Sequence, residues 1–278
     1  DDQGLLEIVS SVEGYFPSET YRKLTGRYRF ENWSHEYNGQ SVNTRVFSST
    51  LTYKADELTN FQVSFAPEIF PGGESVGGYS VQGISGTDNL KLALRASKNA
   101  YKDNLYTVQN RFHESATGIS FFGDLHRRTR AVQSVSMGEL SDGNSRRRYD
   151  SELIHAIFYR NAPLLTATLR FYQTSYENQR DRSGNLLNYW SPSAHKGGEL
   201  ALSWERSVGS KWGWGIDTSY ITSRYRVGDT ATSDENGAGA TVFVSYRLPE
   251  GSIFASFGDR LYEYYRERRL EVTGSIFF

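Results

Sequence analysis

Residues 199–205 read ELALSWE, and their polar and apolar side chains alternate without a break. Leu200, Leu202 and Trp204 fall on one face of an extended chain, while Glu199 and Glu205 fall on the other. A charged face opposite a large apolar face is typical of a strand that separates water from lipid. This stretch therefore predicts a wall strand of a β-barrel with a wet interior.

The same two-residue period recurs along the whole chain and is interrupted by Gly, Asn, Asp, Ser and Pro. It delimits about sixteen segments, namely 4–16, 20–34, 42–54, 58–69, 76–85, 88–98, 104–114, 117–125, 128–140, 145–160, 163–178, 197–208, 211–227, 237–248, 251–261 and 265–278. We predict an all-β fold, a transmembrane antiparallel up-and-down β-barrel of about 16 strands. Residues 1–278 are expected to form this single domain.

The connections between these segments predict which end of the barrel faces outward. Barrels of the bacterial outer membrane alternate short periplasmic turns with longer external loops, and their last strand ends on the periplasmic side. Counting back from Phe278 gives these periplasmic turns: Pro249-Glu250, Gly209-Ser210, Asn161-Ala162, His126-Arg127, Lys102-Asp103, Gly72-Gly73 and Asn38-Gly39. The longest connections, 178–196 and 228–236, then lie outside.

The composition agrees with a wet-lumen barrel and excludes several functions. Only 37% of residues are hydrophobic, yet the chain has 19 Tyr and 16 Phe, which suits alternating walls with aromatic girdles. A formal net charge of −1 gives no electrostatic reason to expect a nucleic-acid partner. The chain has no Cys and no metal-ligand spacing, so we predict neither a metal nor a cofactor.

The C-terminal strand resembles the signal that outer-membrane proteins offer to the barrel assembly machinery. Leu270, Val272, Ile276 and Phe278 share one face, and the chain ends on an aromatic residue. We therefore predict location in the bacterial outer membrane, with its lipid and lipopolysaccharide as partners. The run Arg146-Arg147-Arg148, beyond the predicted external interface, is either a ligand for lipopolysaccharide phosphates or a solvated charge run.

Charged residues on the polar strand faces are candidates for contact with a passing polymer. The acidic members could guide a partly deacetylated, cationic chain, or they could pair with the basic members and solvate the lumen. Both interpretations remain open for the set Glu7, Glu13, Glu68, Asp124, Glu199, Glu205, Asp217, Glu271, Lys91, Arg95 and Arg170.

The longest external loop carries Tyr189, Trp190 and Pro192. The aromatic rings of this loop either stack on sugar rings at the exit or pack the loop onto itself. A separate pair, Trp212 and Trp214, follows a predicted periplasmic turn and is expected in the aromatic girdle.

Three segments, in this order, resemble the C-terminal barrel of the exopolysaccharide exporters that contain tetratricopeptide repeats. They are GELSDGNSRR at 138–147, NAP at 161–163 with the aromatic strand to Tyr176, and NYWSP at 188–192 before the strand at Glu199. The resemblance covers residues 128–278 well and the earlier part loosely. These exporters are the secretion porins for poly-N-acetylglucosamine, Pel and cellulose.

The resemblance implies a conduit for a secreted exopolysaccharide in biofilm formation, which performs no bond chemistry and is not an enzyme. It also implies that the periplasmic repeats lie upstream, outside this chain, and that periplasmic or lipoprotein subunits of a secretion system are partners. It does not distinguish the polysaccharides from one another.

Other functions are compatible with a barrel. A general or sugar-selective diffusion porin would need a loop that folds inward, and 178–196 is the candidate for that loop. A barrel enzyme of lipase or deacylase type would need a His–Ser or Asp–His pair, for which His113, Glu114 and Ser115 form the local cluster. A surface barrel that binds a phage or another partner is a further alternative.

Overall fold

The computed structural model describes residues 4–17, 23–37, 40–102, 105–158, 164–180, 185–187, 189, 191–227, 231–263 and 266–277. Its strands are β1 (Gly4–Pro17), β2 (Leu24–Tyr37), β3 (Gln40–Lys54), β4 (Asn60–Phe65), β5 (Glu68–Ile69), β6 (Ser75–Val76), β7 (Tyr79–Gly86), β8 (Leu90–Ala100), β9 (His113–His126), β10 (Thr129–Leu140), β11 (Ser145–Phe158), β12 (Leu164–Tyr176), β13 (Ala194–Val208), β14 (Trp212–Arg226), β15 (Ser233–Leu248), β16 (Gly251–Tyr262) and β17 (Arg266–Phe277). Helix α1 (Leu105–Gln109) interrupts them. No helix in these ranges has the length and hydropathy needed to cross a membrane.

The strands close into a barrel, which confirms the predicted fold class. The ring contains 15 strands, and β5 and β6 form an additional hairpin beside it. Neighbours in sequence pair antiparallel, whereas β1 and β17 pair in parallel from Gly4↔Arg266 to Tyr15↔Phe277. An odd number of strands leaves the first and the last running in the same direction, so the closing pair must be parallel. The ring is therefore mixed rather than purely antiparallel.

The predicted strand at 104–114 is wrong, and this error accounts for the difference in strand number. Residues 105–109 form helix α1, and β9 begins only at His113. Tyr106 and Val108 fit a two-residue period, but Leu105, Val108 and Phe112 also fit a helical one. Packing settles the ambiguity because Val108 is 2% exposed in a cluster with Val42 and Phe70.

Loss of that strand reverses the predicted sidedness of every earlier connection. One end of the barrel, which we call the turn end, carries 55–59, 87–89, 127–128, 209–211 and 249–250. The opposite end, the loop end, carries 66–78, 101–112, 141–144 and 177–193. Gly72-Gly73 and Lys102, predicted at the turn end, lie at the loop end. Asp103, Asn38-Gly39 and Asn161-Ala162 lie outside the described residues.

The two faces of the wall differ as the alternation predicts. Large apolar side chains are solvent-exposed on the outer face, for example Leu92, Leu200 and Val242. Near the turn end, Trp204 and Trp214 contact each other at a centroid distance of 4.5 Å, and Trp212 contacts Tyr246 at 4.6 Å. Such an apolar exterior with an aromatic band suits a barrel that spans a membrane. The inner face is mainly polar.

Replacing Leu200 by Arg should destabilise the folded barrel by ~2–4 kcal/mol, because it places a charge on the apolar outer face of a mid-wall strand. Ala201→Arg, one residue away on the inner face, is the matched control and should cost less than half as much. Urea unfolding in lipid vesicles, followed by the gel shift of the heat-modifiable barrel, measures both. Equal destabilisation by the two variants would contradict the assignment of the faces.

Candidate functional site

The lumen is the candidate functional site, and the strand register places the predicted charged residues on its wall. Asp217 lies opposite Ser203, and Glu205 lies opposite Gly215, on the face that turns away from Leu202 and Trp204. The same argument from register and exposure places the whole set inward: Glu7, Glu13, Glu68, Asp124, Glu199, Glu205, Asp217, Glu271, Lys91, Arg95 and Arg170. A role in guiding a polymer remains a prediction.

Two arginines on β2 neutralise three carboxylates beside the parallel pair of β1 and β17. Arg27 pairs with Glu13, and Arg29 lies 2.8 Å from Glu31 and 3.4 Å from Glu271. Ser11 and Thr273, whose hydroxyls are 2.8 Å apart, are joined across the seam between β1 and β17. Arg27 and Arg29 were not predicted from the sequence as lumen residues, although their spacing of two on β2 indicates a shared face.

A second group of ion pairs lines β11, β12, β13 and β16. Asp150 accepts hydrogen bonds from Arg148 at 2.6 Å and from Arg170 at 2.7 Å. Glu199 lies 3.9 Å from Arg170 and 3.6 Å from Arg260, although β13 and β16 are not neighbours in the ring. Glu199 therefore connects separate parts of the wall through the lumen. In this region the carboxylates serve mainly to neutralise arginines.

The carboxylates Glu205, Asp217 and Glu235 differ from these paired groups. Among the residues that the structure describes, none of them has an ion-pair partner. All lie on β13 to β15, where Ser219 and Thr241 are their inward neighbours. Carboxylates without an ion-paired arginine therefore lie on the inner face of β13 to β15.

The sector formed by β3, β4 and β7 is polar but largely uncharged. Most of its inward side chains are hydroxyls and amides, and Thr50 and Ser64 share a hydrogen bond of 2.9 Å. Gln62 and Gln82 lie opposite each other on the neighbouring strands. Lys91 and Arg95 follow on β8, at the edge of this sector. The lumen therefore offers a neutral polar wall beside a charged one.

Two of the connections at the loop end fold inward over the neutral sector. Helix α1 lies in the 101–112 loop, and its Val108 packs against Val42 of β3 and Phe70 of the β5–β6 hairpin. Lys102 of the same loop forms a 2.8 Å ion pair with Glu68 and lies 4.4 Å above the ring of Trp33. The loop that leaves β8 thus crosses to β2 and β3.

The 141–144 and 177–193 loops pack together over β8 to β12. Tyr101 and Tyr176 share a hydrogen bond of 2.6 Å, and both contact Tyr189 in a cluster with Leu140. The Tyr189 hydroxyl donates to Asp142 at 2.7 Å and accepts from Asn144 at 2.9 Å. Burial of the ring, together with the Asp142 carboxylate, raises the pKa of Tyr189. The neutral phenol therefore remains a donor at physiological pH.

Tyr189 and Pro192 consequently pack into the loop cluster rather than lining an exit. Tyr189 is 4% exposed, and Pro192 is among the fully buried side chains. The Tyr189 ring is therefore not available for stacking on a sugar. Trp190 lies outside the described residues.

The residues of the predicted assembly signal and of the arginine run 146–148 can be located on the wall. Leu270, Val272 and Ile276 face outward on β17 as predicted, while Phe278 lies outside the described residues. The arginine run is divided between the two faces. Arg146 and Arg148 turn inward to Glu114 and Asp150, so only Arg147 faces outward with Met137. The prediction that the whole run binds lipopolysaccharide phosphates is therefore wrong.

The local cluster considered for an enzyme does not come together. Glu114 turns to the inner face and binds Arg146 at 2.6 Å. His113 and Ser115 lie on the opposite face of β9, because successive residues of a strand alternate. The expectation that the chain is not an enzyme remains a prediction. The described residues also contain no group of His, Asp and Glu suited to a metal ion.

Comparison with known proteins identifies the fold. No protein-family model matches this chain, and no curated protein matches it. Among solved structures, it is similar to a protein named "Bacterial polysaccharide outer membrane secretin", with a TM-score of 0.70 and 14% sequence identity. The likeness covers 92% of this chain and 84% of that one. At this identity the two share a fold.

Val108→Asp should release the 101–112 loop, because a carboxylate in the apolar cluster costs about 2 kcal/mol or more. Trypsin should then cut the folded barrel after Lys102 or Arg111, at least tenfold faster than the wild type. Gln109→Asp, on the exposed side of the same helix, is the control and should not change the rate. Mass spectrometry of the fragments identifies the site. Equal protection of both variants would show that this cluster does not hold the loop.

Proposed function

We propose that the barrel is an outer-membrane conduit through which a secreted polysaccharide leaves the cell. The observation that carries this proposal is the closed wall with an apolar exterior and a polar lumen. The fold shared with a polysaccharide secretin supports it. The loop end would face the outside and the turn end the periplasm, because outer-membrane barrels keep their longer connections outside.

The lumen chemistry suits a hydrated polymer that must slide. A moving chain needs many weak contacts, since a tight site would trap it. Hydroxyls and amides such as Thr50, Ser64 and Gln62 exchange hydrogen bonds with sugar hydroxyls as water does. The ion-paired arginines and carboxylates keep their charges neutralised and so do not hold an uncharged chain.

The loops leave one side of the loop end as the natural exit. The described residues of the 66–78, 101–112, 141–144 and 177–193 connections pack over β2 to β12. Over β13 to β17 the connections are shorter, with β14 and β16 ending at Arg226 and Tyr262 and the next strands beginning at Ser233 and Arg266. A polymer would therefore move along the sector that carries Glu205 and Asp217.

The finer assignment follows the sequence resemblance to exporters of poly-N-acetylglucosamine, Pel and cellulose. We propose a polymer of this class, exported in biofilm formation, with no bond chemistry in the barrel. The driving force would come from synthesis and from periplasmic or lipoprotein subunits of the secretion system. Lipid, lipopolysaccharide and the barrel assembly machinery would be the membrane partners.

Deletion of the gene region that encodes the barrel should abolish surface polysaccharide and leave polymer in the periplasm. Expression of the intact gene in trans should restore export. Surface and periplasmic fractions are compared by sugar composition after acid hydrolysis, which also identifies the polymer. A folded but unrelated diffusion porin, expressed at the same level, is the control. Unchanged export in the deletion strain would refute the conduit.

A sugar-selective diffusion porin is the second candidate, and the inward-folded 101–112 loop favours it. Diffusion porins narrow their lumen with such a loop, although the sequence had suggested 178–196 for that role. Liposome swelling with sugars of increasing size separates the two functions. Rapid uptake of mono- and disaccharides, together with normal polymer export in the deletion strain, would favour the porin.

A further inference from the structure

Two phenylalanine rings lie inside the lumen near the turn end, in a sector of β14 to β17 where the neighbouring inward positions are polar side chains or glycine. Phe243 lies opposite Gly215 and Ser256, and Phe254 lies opposite Ser245 and Thr273, all on the inward face. The rings stack with a centroid distance of 6.0 Å and an interplanar angle of 29°. An apolar surface in a water-filled lumen serves neither membrane anchoring nor solvation, so it calls for another role.

The ring of Phe243 packs over Gly215, which has no side chain to block it. A Cβ atom at Gly215 would lie 2.4 Å from Cζ of Phe243, so the ring occupies the space above the glycine. Gly215 is buried beneath it, while Phe243 remains half-buried. The tip of the ring therefore lies over the backbone of β14, and the half-buried ring keeps part of its surface open to the lumen. A flat aromatic face is the surface that stacks on the C–H face of a pyranose.

The carboxylates that have no ion-pair partner flank this ring. Glu205 is the register partner of Gly215 on the side away from Phe243, and Asp217 lies one inward position along β14. Strand spacing puts Glu205 two strands, about 10 Å, from Phe243, and successive inward positions are about 7 Å apart. A sugar ring on Phe243 would thus direct its hydroxyl or amino substituents towards both carboxylates.

We propose that Phe243 and Phe254, with Glu205 and Asp217, form a saccharide-binding subsite at the turn-end mouth of the lumen. This rests on the proposed function and specifies its substrate as a chain of pyranose units with an accessible C–H face. The free carboxylates add affinity when the sugar carries an ammonium group. Both contributions are small, as a sliding polymer requires.

The test is saturation-transfer NMR titration of the full chain, folded in detergent, with two hexamers. The neutral probe is the hexamer of β-1,4-linked N-acetylglucosamine, and the cationic probe is its de-N-acetylated counterpart. Phe243→Ala should weaken the binding of both hexamers by roughly 3- to 10-fold, the scale of one aromatic contact. The double variant Glu205→Gln with Asp217→Asn should weaken mainly the cationic hexamer.

Phe257→Ala provides the matched control, since Phe257 lies on the outer face of the same strand as Phe254. It should leave both affinities unchanged. Phe243→Trp keeps an aromatic face and should retain the affinity for both hexamers that Phe243→Ala loses, which a merely structural role of the ring would not predict. If Phe243→Ala folds poorly, shown by loss of heat modifiability, Phe254→Leu replaces it.

The outcomes separate the subsite from the proposed function. Equal affinities for wild type and Phe243→Ala, or no binding of either hexamer to the wild type, would overturn the subsite. Polymer export in the complemented deletion strain would be unaffected by that result and would still support the conduit. Conversely, subsite binding with unchanged export in the deletion strain would favour a sugar-selective diffusion porin.

Discussion

Every feature of this protein depends on closure of the β-sheet. A strand edge that faces lipid would leave backbone N–H and C=O groups without partners, at a cost of several kcal/mol for each group. The parallel pairing of β1 with β17 removes that edge over the whole of β17 and from Gly4 to Tyr15 of β1. The Ser11–Thr273 and Ser275–Glu13 hydrogen bonds add side-chain contacts across the same seam.

Closure also divides the side chains into two environments. Alternate residues of each strand meet lipid or water, so one sequence period serves both a membrane exterior and an aqueous lumen. Where arginine and glutamate are neighbours inside, as in Arg27 with Glu13, they neutralise each other. Where no arginine lies nearby, as at Asp217, the carboxylate remains open to a ligand. The electrostatic character of the lumen thus varies around the ring.

The loops give the lumen its asymmetry. Clusters around Val108 and Tyr189 hold the long connections against β2 to β12, because packing together removes their apolar side chains from water. The aromatic rings and free carboxylates of β13 to β16 lie on the side that these loops do not cover. The covered and uncovered sides therefore present different chemistry to a solute, which a symmetrical pore would not do.

The sequence by itself determined the fold class and the direction of most side chains. Alternation as regular as 199–205 assigns Leu200 and Glu199 to opposite faces whatever the rest of the chain does, because the strand period is a local property. The neighbours around the ring follow largely from chain order, since consecutive strands pair. The C-terminal half, with its strong alternation, was predicted with nearly correct bounds.

Only the tertiary structure decided the strand number, the sidedness of the N-terminal connections and the partners inside the lumen. Segment 104–114 fits a strand or a helix locally, and burial of Val108 against Val42 and Phe70, distant in sequence, selected the helix. The contact between Glu199 and Arg260 likewise depends on the curvature of the ring. The packing of Phe243 over Gly215 depends on the register between β14 and β15. These features arise from contacts between distant residues, which no local period encodes.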